Sequence, residues 1–262
     1  MNATEQKVKL SSGEIGYFVV GEGRPLLYLH PAGGVRWSVV LATLAKTYKV
    51  YVPVMPGFDG NPVHAGLDSM KGLGKLAGEF VDAVIKSKCD VIGHSFGGWV
   101  SLWLTAQRPE LVDHLVLEAS AGFRPKGVGG APSTPEALKK ALFAHPEKIP
   151  PGGKTMEVEA ANSKMRAHYN AARETDDELL ALLPAITSST LILQGTEDRV
   201  IPKESAQLLK TKIPNSFLIY VWDAAHSLEV DQPERVLGVT ESFLARSESF
   251  VANWGTMAIN AG

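Results

Sequence analysis

The chain is poor in the features that announce several common kinds of protein. It has one cysteine in 262 residues, which rules out an intrachain disulfide and any multi-cysteine metal site. That residue, Cys89, opens an apolar run and is expected to be an inert core thiol. Charge of one sign is not in excess: 26 basic and 28 acidic residues leave a formal charge of −2. They are dispersed along the chain, so the electrostatic footprint of a nucleic-acid-binding surface is missing. No apolar run approaches the roughly 20 residues of a membrane helix, and residues 1–9 are polar, without the apolar core of a signal peptide. A soluble cytoplasmic protein without a membrane span, monomeric or homodimeric, is the expectation. The seven histidines show neither an H-E-x-x-H pattern nor a cluster, so no metal site is expected.

What is present is alternation. Short apolar runs at residues 26–29, 50–54, 91–92, 115–117, 191–193 and 217–221 read as strands. Helical patterns fall at 37–47, 70–87, 98–107, 202–211 and 233–245, the last two opening on Pro202 and Pro233. Residues 7–20 read as an antiparallel pair turning at Ser12-Gly13. Strands interleaved with helices predict an α/β fold, a mostly parallel, doubly wound sheet covered on both faces.

The rhythm breaks between residues 123 and 186, where no strand signal occurs. Ser133/Thr134-Pro135-Glu136 starts one helix, expected to reach about residue 145. A second carries Val158, Ala161, Met165, Tyr169 and Ala172 at spacings of three and four. Thr175-x-x-Glu178 reads as the capping box of a third, Leu-rich helix ending at Pro184. The expected organisation is therefore a core of residues 1–122 and 187–262 with a helical lid, residues 123–186, inserted into it. The tail after Ser247 is weakly patterned.

Residues 93–97 read Gly93-His94-Ser95-Phe96-Gly97, a G-x-S-x-G turn between a strand signal and a helix signal. Such a turn exposes a serine hydroxyl and aims the helix N-terminus at developing negative charge. A serine nucleophile needs a base, an orienting acid and an oxyanion hole. Asp198 follows the 191–193 strand after Gly195, and His226 follows the 217–221 strand among small residues, giving the order Ser95, Asp198, His226. The loop His30-Pro31-Ala32-Gly33-Gly34 follows the 26–29 strand. Pro31 has no N–H, so Ala32 is expected to supply one oxyanion donor and Phe96, after the nucleophile, the other.

Together these motifs resemble the serine-type α/β-hydrolases over roughly residues 14–246. The resemblance includes the elbow, the His30 loop, the turn Pro56-Gly57-Phe58-Asp59-Gly60, the acid loop from Gly195 to Pro202, and the final histidine with its Pro-Glu helix start. Pro31 departs from the pattern, since relatives usually carry glycine there. The resemblance implies acyl transfer through a serine ester with no cofactor, on a small hydrophobic ester or related carbonyl substrate. A serine at the elbow argues against the dehalogenase and epoxide-hydrolase branches, which use an aspartate. Three alternatives share the residues: C–C hydrolysis of ring-cleavage dienones, perhydrolase chemistry, and a ligand sensor with little turnover.

Glu118 occupies a strand end where some relatives carry the acid. His94 is expected to pack behind the serine, His30 to stabilise its loop, and Asp59 and Asp223 to be solvated or capping. His145, His168 and Tyr169 are expected in surface or packing roles. Selectivity is expected from Phe143, Met156, Met165, Tyr169, Trp37 and Trp99.

Overall fold

The computed structural model describes residues 3–128, 132, 134–151, 153–171 and 175–246. Eight strands run β1 (Thr4–Lys9), β2 (Glu14–Val20), β3 (Arg24–Leu29), β4 (Tyr48–Pro53), β5 (Cys89–His94), β6 (Val112–Glu118), β7 (Ser189–Gly195) and β8 (Ser216–Val221). They form one sheet in the order β1-β2-β4-β3-β5-β6-β7-β8. β1 and β2 pair antiparallel, as do β2 and β4, and every other neighbour pair is parallel.

Successive residues of the central strands go to opposite layers, because side chains alternate across a strand. Leu27, Leu29, Val91, Leu115, Leu117 and Ile192 pack on one side. Leu26, Tyr28, Ile92, Val116, Leu191 and Leu193 pack on the other. Both faces are covered, so these strands read as continuous apolar runs. Helices α2 (Met70–Phe80), α3 (Phe96–Gln107) and α7 (Lys203–Lys212) contribute to the first layer. Helices α1 (Val39–Leu44), α8 (Leu228–Asp231) and α9 (Pro233–Arg246) contribute to the second. α3 buries every residue from Phe96 to Thr105, as expected of a helix enclosed all round.

Between β6 and β7 the described residues form three α-helices, α4 (Pro135–Leu142), α5 (Met156–His168) and α6 (Asp177–Leu182), and no strand of the sheet. Several boundaries differ from the sequence expectation. α1 is six residues long, capped by the Ser38 side chain, and leaves Trp37 outside. α2 ends at Phe80 and passes into a single π-helical turn, Val81–Ile85, closed by Lys86 in the left-handed region. Pro202 precedes α7 as its cap, where the expectation made it the first helical residue. α4 stops at Leu142.

Two corrections fall in the inserted helices. α6 is capped by Asp176, whose side chain accepts from the Leu179 N–H, and not by Thr175. Thr175 pairs instead with Phe123 in a β-bridge and donates its hydroxyl to the Arg124 carbonyl, 2.8 Å away. Along α5 the inward line runs through half-buried Val158, buried Asn162 and half-buried Met165 to buried Tyr169 just past its end, leaving Ala161 in solvent. The polar Asn162 lies inside because it finds hydrogen-bond partners there. Ala172 and the tail from Ser247 lie outside the described residues.

Candidate active site

β5 delivers Ser95 at the junction with α3, with φ 54° and ψ −111°. A non-glycine residue there carries roughly 1–3 kcal/mol of strain, and the surrounding backbone holds it. The Ser95 N–H donates to Glu118 O at 2.8 Å, and its carbonyl accepts from Trp99 N at 3.2 Å and Ala121 N at 3.0 Å. Gly97 lets the elbow press on β3: a Cβ at this position would run into the Leu29 carbonyl.

β7 ends at Gly195, and the turn after it presents Asp198. One carboxyl oxygen accepts from Val200 N at 2.8 Å and Ile201 N at 2.9 Å. The other accepts from Gln194 Nε2 and from His226 Nδ1, both at 3.0 Å. Burial pushes the Asp198 carboxyl up, but the His226 ring and the two backbone amides outweigh it and hold it below its ordinary value. His226 follows β8 in a loop pinned by the Ala225 N–H, which donates to Asp231 at 2.8 Å. With its proton on Nδ1, His226 accepts the Ser95 hydroxyl at Nε2, 2.9 Å away. Three side chains from three strand ends thus form one hydrogen-bonded line, and Ser95 is 7% exposed.

The loop after β3 closes as a turn, Gly34 N donating to Pro31 O at 2.9 Å. His30 braces it: Nδ1 donates to Pro31 O at 2.8 Å, while Nε2 accepts from Met55 N at 3.1 Å. Burial lowers the His30 pKa to about 4, which agrees with a neutral ring bonded this way. Among the described residues, neither Ala32 N nor Phe96 N donates to a protein acceptor. His94 lies behind the serine, its Nε2 donating to the His226 carbonyl at 2.9 Å. Burial brings its pKa down to about 3.

The wall beside Phe96 is aromatic. The Phe58 and Phe96 rings lie 5.3 Å apart, and Tyr169 from the end of α5 packs 6.2 Å from Phe96 and stacks on Phe58 at 6.4 Å. Burial raises the Tyr169 phenol, which donates to the Pro56 carbonyl at 2.8 Å. Met165 stands against Gly57. Phe143 is buried, and Trp99 is buried with its indole N–H on Asp176. Met156 is 83% exposed, and Trp37 packs edge-on to Phe18.

Glu118 is buried on the α1–α8 face and, among the described residues, neither of its carboxyl oxygens has a hydrogen-bond partner, so it does not reach His226. Asp59 is not a solvated carboxylate: it bonds Val35 N, Asn162 and Lys154. Asp223 is exposed and pairs with His145 at 2.8 Å, and His168 bonds the Leu67 carbonyl. Sequence reasoning missed Gln194, Asn162, Asp176 and Asp231, whose partners all become visible only on folding. At the opposite end of the sheet, Asp90, Asp113 and His114 bring ligand-type atoms within 4.8 Å of one another. Their carboxyls are engaged by Arg24 at 2.6 Å and Lys88 at 2.9 Å, cations that disfavour a metal ion there.

A model of the alpha/beta hydrolase family matches residues 26–239. The chain belongs to the alpha/beta hydrolase family. It is 26% identical to a 2-hydroxy-6-oxo-2,4-heptadienoate hydrolase of Pseudomonas putida, over 95% of this chain and 99% of that one. It is equally 26% identical to a pimeloyl-[acyl-carrier protein] methyl ester esterase of Aeromonas hydrophila, covering 86% and 96%. Among solved structures, the meta-cleavage product hydrolase of Pseudomonas fluorescens superposes with a TM-score of 0.77 at 20% identity, covering 93% and 98%. Among the described residues of this alpha/beta hydrolase, no helix is long and apolar enough to cross a membrane.

Proposed function

We propose that the protein hydrolyses carboxylic esters of small hydrophobic molecules through an acyl-serine intermediate, with residues 123–186 serving as a lid. The observation that carries this reading is the line from Ser95 through His226 to Asp198, bonded at 2.9 and 3.0 Å. His226 takes the Ser95 proton as the hydroxyl attacks the carbonyl, and Asp198 orients the ring and stabilises the imidazolium. The oxyanion is met by the N–H groups of Ala32 and Phe96, each worth on the order of 3 kcal/mol. His226 then protonates the leaving alcohol and activates water for deacylation. No cofactor takes part. The rings of Phe58, Phe96 and Tyr169 favour an apolar acyl or alcohol group.

A second reading is C–C hydrolysis of a dienoate, and the Pseudomonas putida relative favours it. Such a substrate carries a carboxylate and calls for a cation. Arg36, just past the loop after β3, is such a cation, though it already lies 3.8 Å from Glu159 of α5. The two readings separate on a panel of p-nitrophenyl esters of increasing acyl length and a ring-cleavage dienoate, assayed with wild type and Ser95→Ala. Turnover of short esters that disappears in Ser95→Ala supports the ester reading. Turnover of the dienoate alone moves the assignment to C–C hydrolysis, and ester turnover retained by Ser95→Ala refutes both. A single burst without steady turnover would favour a ligand-holding role.

A further inference from the structure

α5 buries one residue, and that residue is an amide. Asn162 Nδ2 donates to the Gly33 carbonyl at 2.9 Å and to Asp59 Oδ1 at 2.8 Å, while its Oδ1 accepts from the Asp59 N–H at 2.8 Å. The other Asp59 oxygen accepts from Val35 N at 2.7 Å, and Lys154 from the same inserted segment closes the group by pairing with Oδ1. Gly34 passes beneath this knot with φ 80°, where a Cβ would strike Asp59, Lys154 and Asn162. The Asn162 amide is therefore used up on the Gly33 carbonyl and on the backbone and carboxyl of Asp59, which grips Val35 N.

Ala32 sits between two clamps of different origin. On one side the core supplies His30, bonded to Pro31 O and Met55 N. On the other side Gly33 O and Val35 N are held through Asn162 and Asp59. The Ala32 N–H shares its peptide unit with Pro31 O, which accepts from His30 Nδ1 and from Gly34 N. Gly34 N in turn shares its peptide unit with the Gly33 O that Asn162 holds. Without Asn162 the 33–34 unit is free to rotate, its bond to Pro31 O goes with it, and the 31–32 plane carrying the Ala32 N–H is left held by His30 alone. An oxyanion donor works only when it is preorganised at the position the charge will occupy.

Resting on the hydrolase reading above, we infer that Asn162 is a positioning residue: through Gly33 and Asp59 it sets the direction of the Ala32 N–H, so the oxyanion hole is complete only while α5 is seated. Lid closure and assembly of the hole are then one event, and a substrate that keeps α5 from seating is bound without being turned over.

The test uses the full chain as wild type, Asn162→Ala and Lys164→Met, with Asn162→Ser as a second variant should the alanine form fail to fold. Amide exchange is followed by mass spectrometry on peptides covering residues 30–36, 93–98 and 223–228. Steady-state rates are measured with p-nitrophenyl acetate and p-nitrophenyl thionoacetate, whose developing charge falls on sulfur, a poor hydrogen-bond acceptor. Asn162→Ala should speed exchange in 30–36 about tenfold and leave the other two peptides unchanged. Its kcat on the oxygen ester should fall at least tenfold, part of the 10²–10³ that a lost donor costs, with KM within threefold. The thionoester rate should fall less than threefold, so the ratio of the two rates collapses. Lys164→Met, on the exposed face of α5 and away from the amide, should change that ratio by less than twofold. Unchanged exchange in 30–36, faster exchange in all three peptides, or equal slowing of both esters would overturn the inference. If wild type turns over neither ester, the ester reading fails, and the exchange result alone decides whether α5 holds the loop.

Discussion

Asp176→Ala should destabilise the protein by about 3–6 kcal/mol. Asp176 is fully buried, and one of its oxygens accepts from the indole N–H groups of both Trp99 and Trp103, each at 2.8 Å. Its other oxygen caps α6 through Leu179 N at 3.3 Å. Both indoles are about 1% exposed, so alanine would leave two donors without acceptor or water. Each orphaned donor costs roughly 1–3 kcal/mol, and the lost cap adds about 0.5–2 kcal/mol. That is a large part of the ~5–15 kcal/mol by which such a domain is stable. Asp176→Asn keeps an oxygen for the indoles and gives up the cap, so it should cost about 1–2 kcal/mol. Urea unfolding followed by tryptophan fluorescence measures both, and the midpoint should shift with little change in slope. The opposing effect is relief from burying a carboxyl. If that relief dominates, Asp176→Ala will lie within about 1 kcal/mol of wild type, and the reasoning from orphaned donors is wrong.

Burial, reinforced by their mutual repulsion, raises the Glu118 carboxyl well above its ordinary value, and burial raises Glu229 to about 7. Tyr28 and Ser38 are the neutral groups facing Glu229. An acid whose pKa is higher folded than unfolded favours the native state below its unfolded value, and that stability is lost as pH rises through the folded one. Wild type should therefore lose on the order of 3 kcal/mol at this site between pH 4.5 and 7. Glu229→Gln should not lose it, so the variant gains on wild type from pH 5 to pH 8. Urea titrations at the two pH values check this, and a constant difference refutes it. Gly97→Ala drives a methyl group into the Leu29 and His30 carbonyls. It should either abolish soluble expression or leave below one-hundredth of wild-type ester turnover (about 10² or more in rate).

Ser95, Asp198 and His226 were legible because each sits in a local strand-to-loop signal, and the sheet order then brings three strand ends together. Apolar runs and turn residues are properties of a few neighbouring positions. Asn162, Asp176 and Asp231 were illegible for the opposite reason. Their hydrogen-bond partners lie 103, 77 and 87 residues away along the chain. Periodicity placed Ala161 on the buried face of α5, because a rule based on hydrophobicity prefers alanine to asparagine. The helix turned one position further because three hydrogen bonds make burying the amide favourable. Thr175 lost the cap to Asp176 in the same way: two capping residues stood side by side, and two distant tryptophans decided between them.

The three illegible residues also share a logic. An inserted segment must satisfy its own backbone groups where it meets the core, and a carboxyl collects several N–H donors at one point. Asp231 accepts from Ala144 N and His145 N of the insert and from Ala225 N, next to His226. Asp59 and Asn162 join α5 to the 33–35 loop. Asp176 joins the start of α6 to α3, the helix that begins after Ser95. The elbow helix, the His226 loop and the Ala32 loop are thus each fastened to the insert by one buried or half-buried aspartate, whereas the Asp198 loop is met by Arg124, which donates to the Val200 carbonyl. The three fastenings differ in what they can move. Asp176 holds a side chain on a rigid helix, so its loss should lower stability and leave the elbow's angles in place. Asp231 and Asp59 hold loop backbone, and there a small rotation redirects the His226 ring or the Ala32 N–H. On the hydrolase reading proposed above, changes at Asn162 therefore reach the oxyanion donor through the backbone, whereas substitutions on the exposed face of α5 do not.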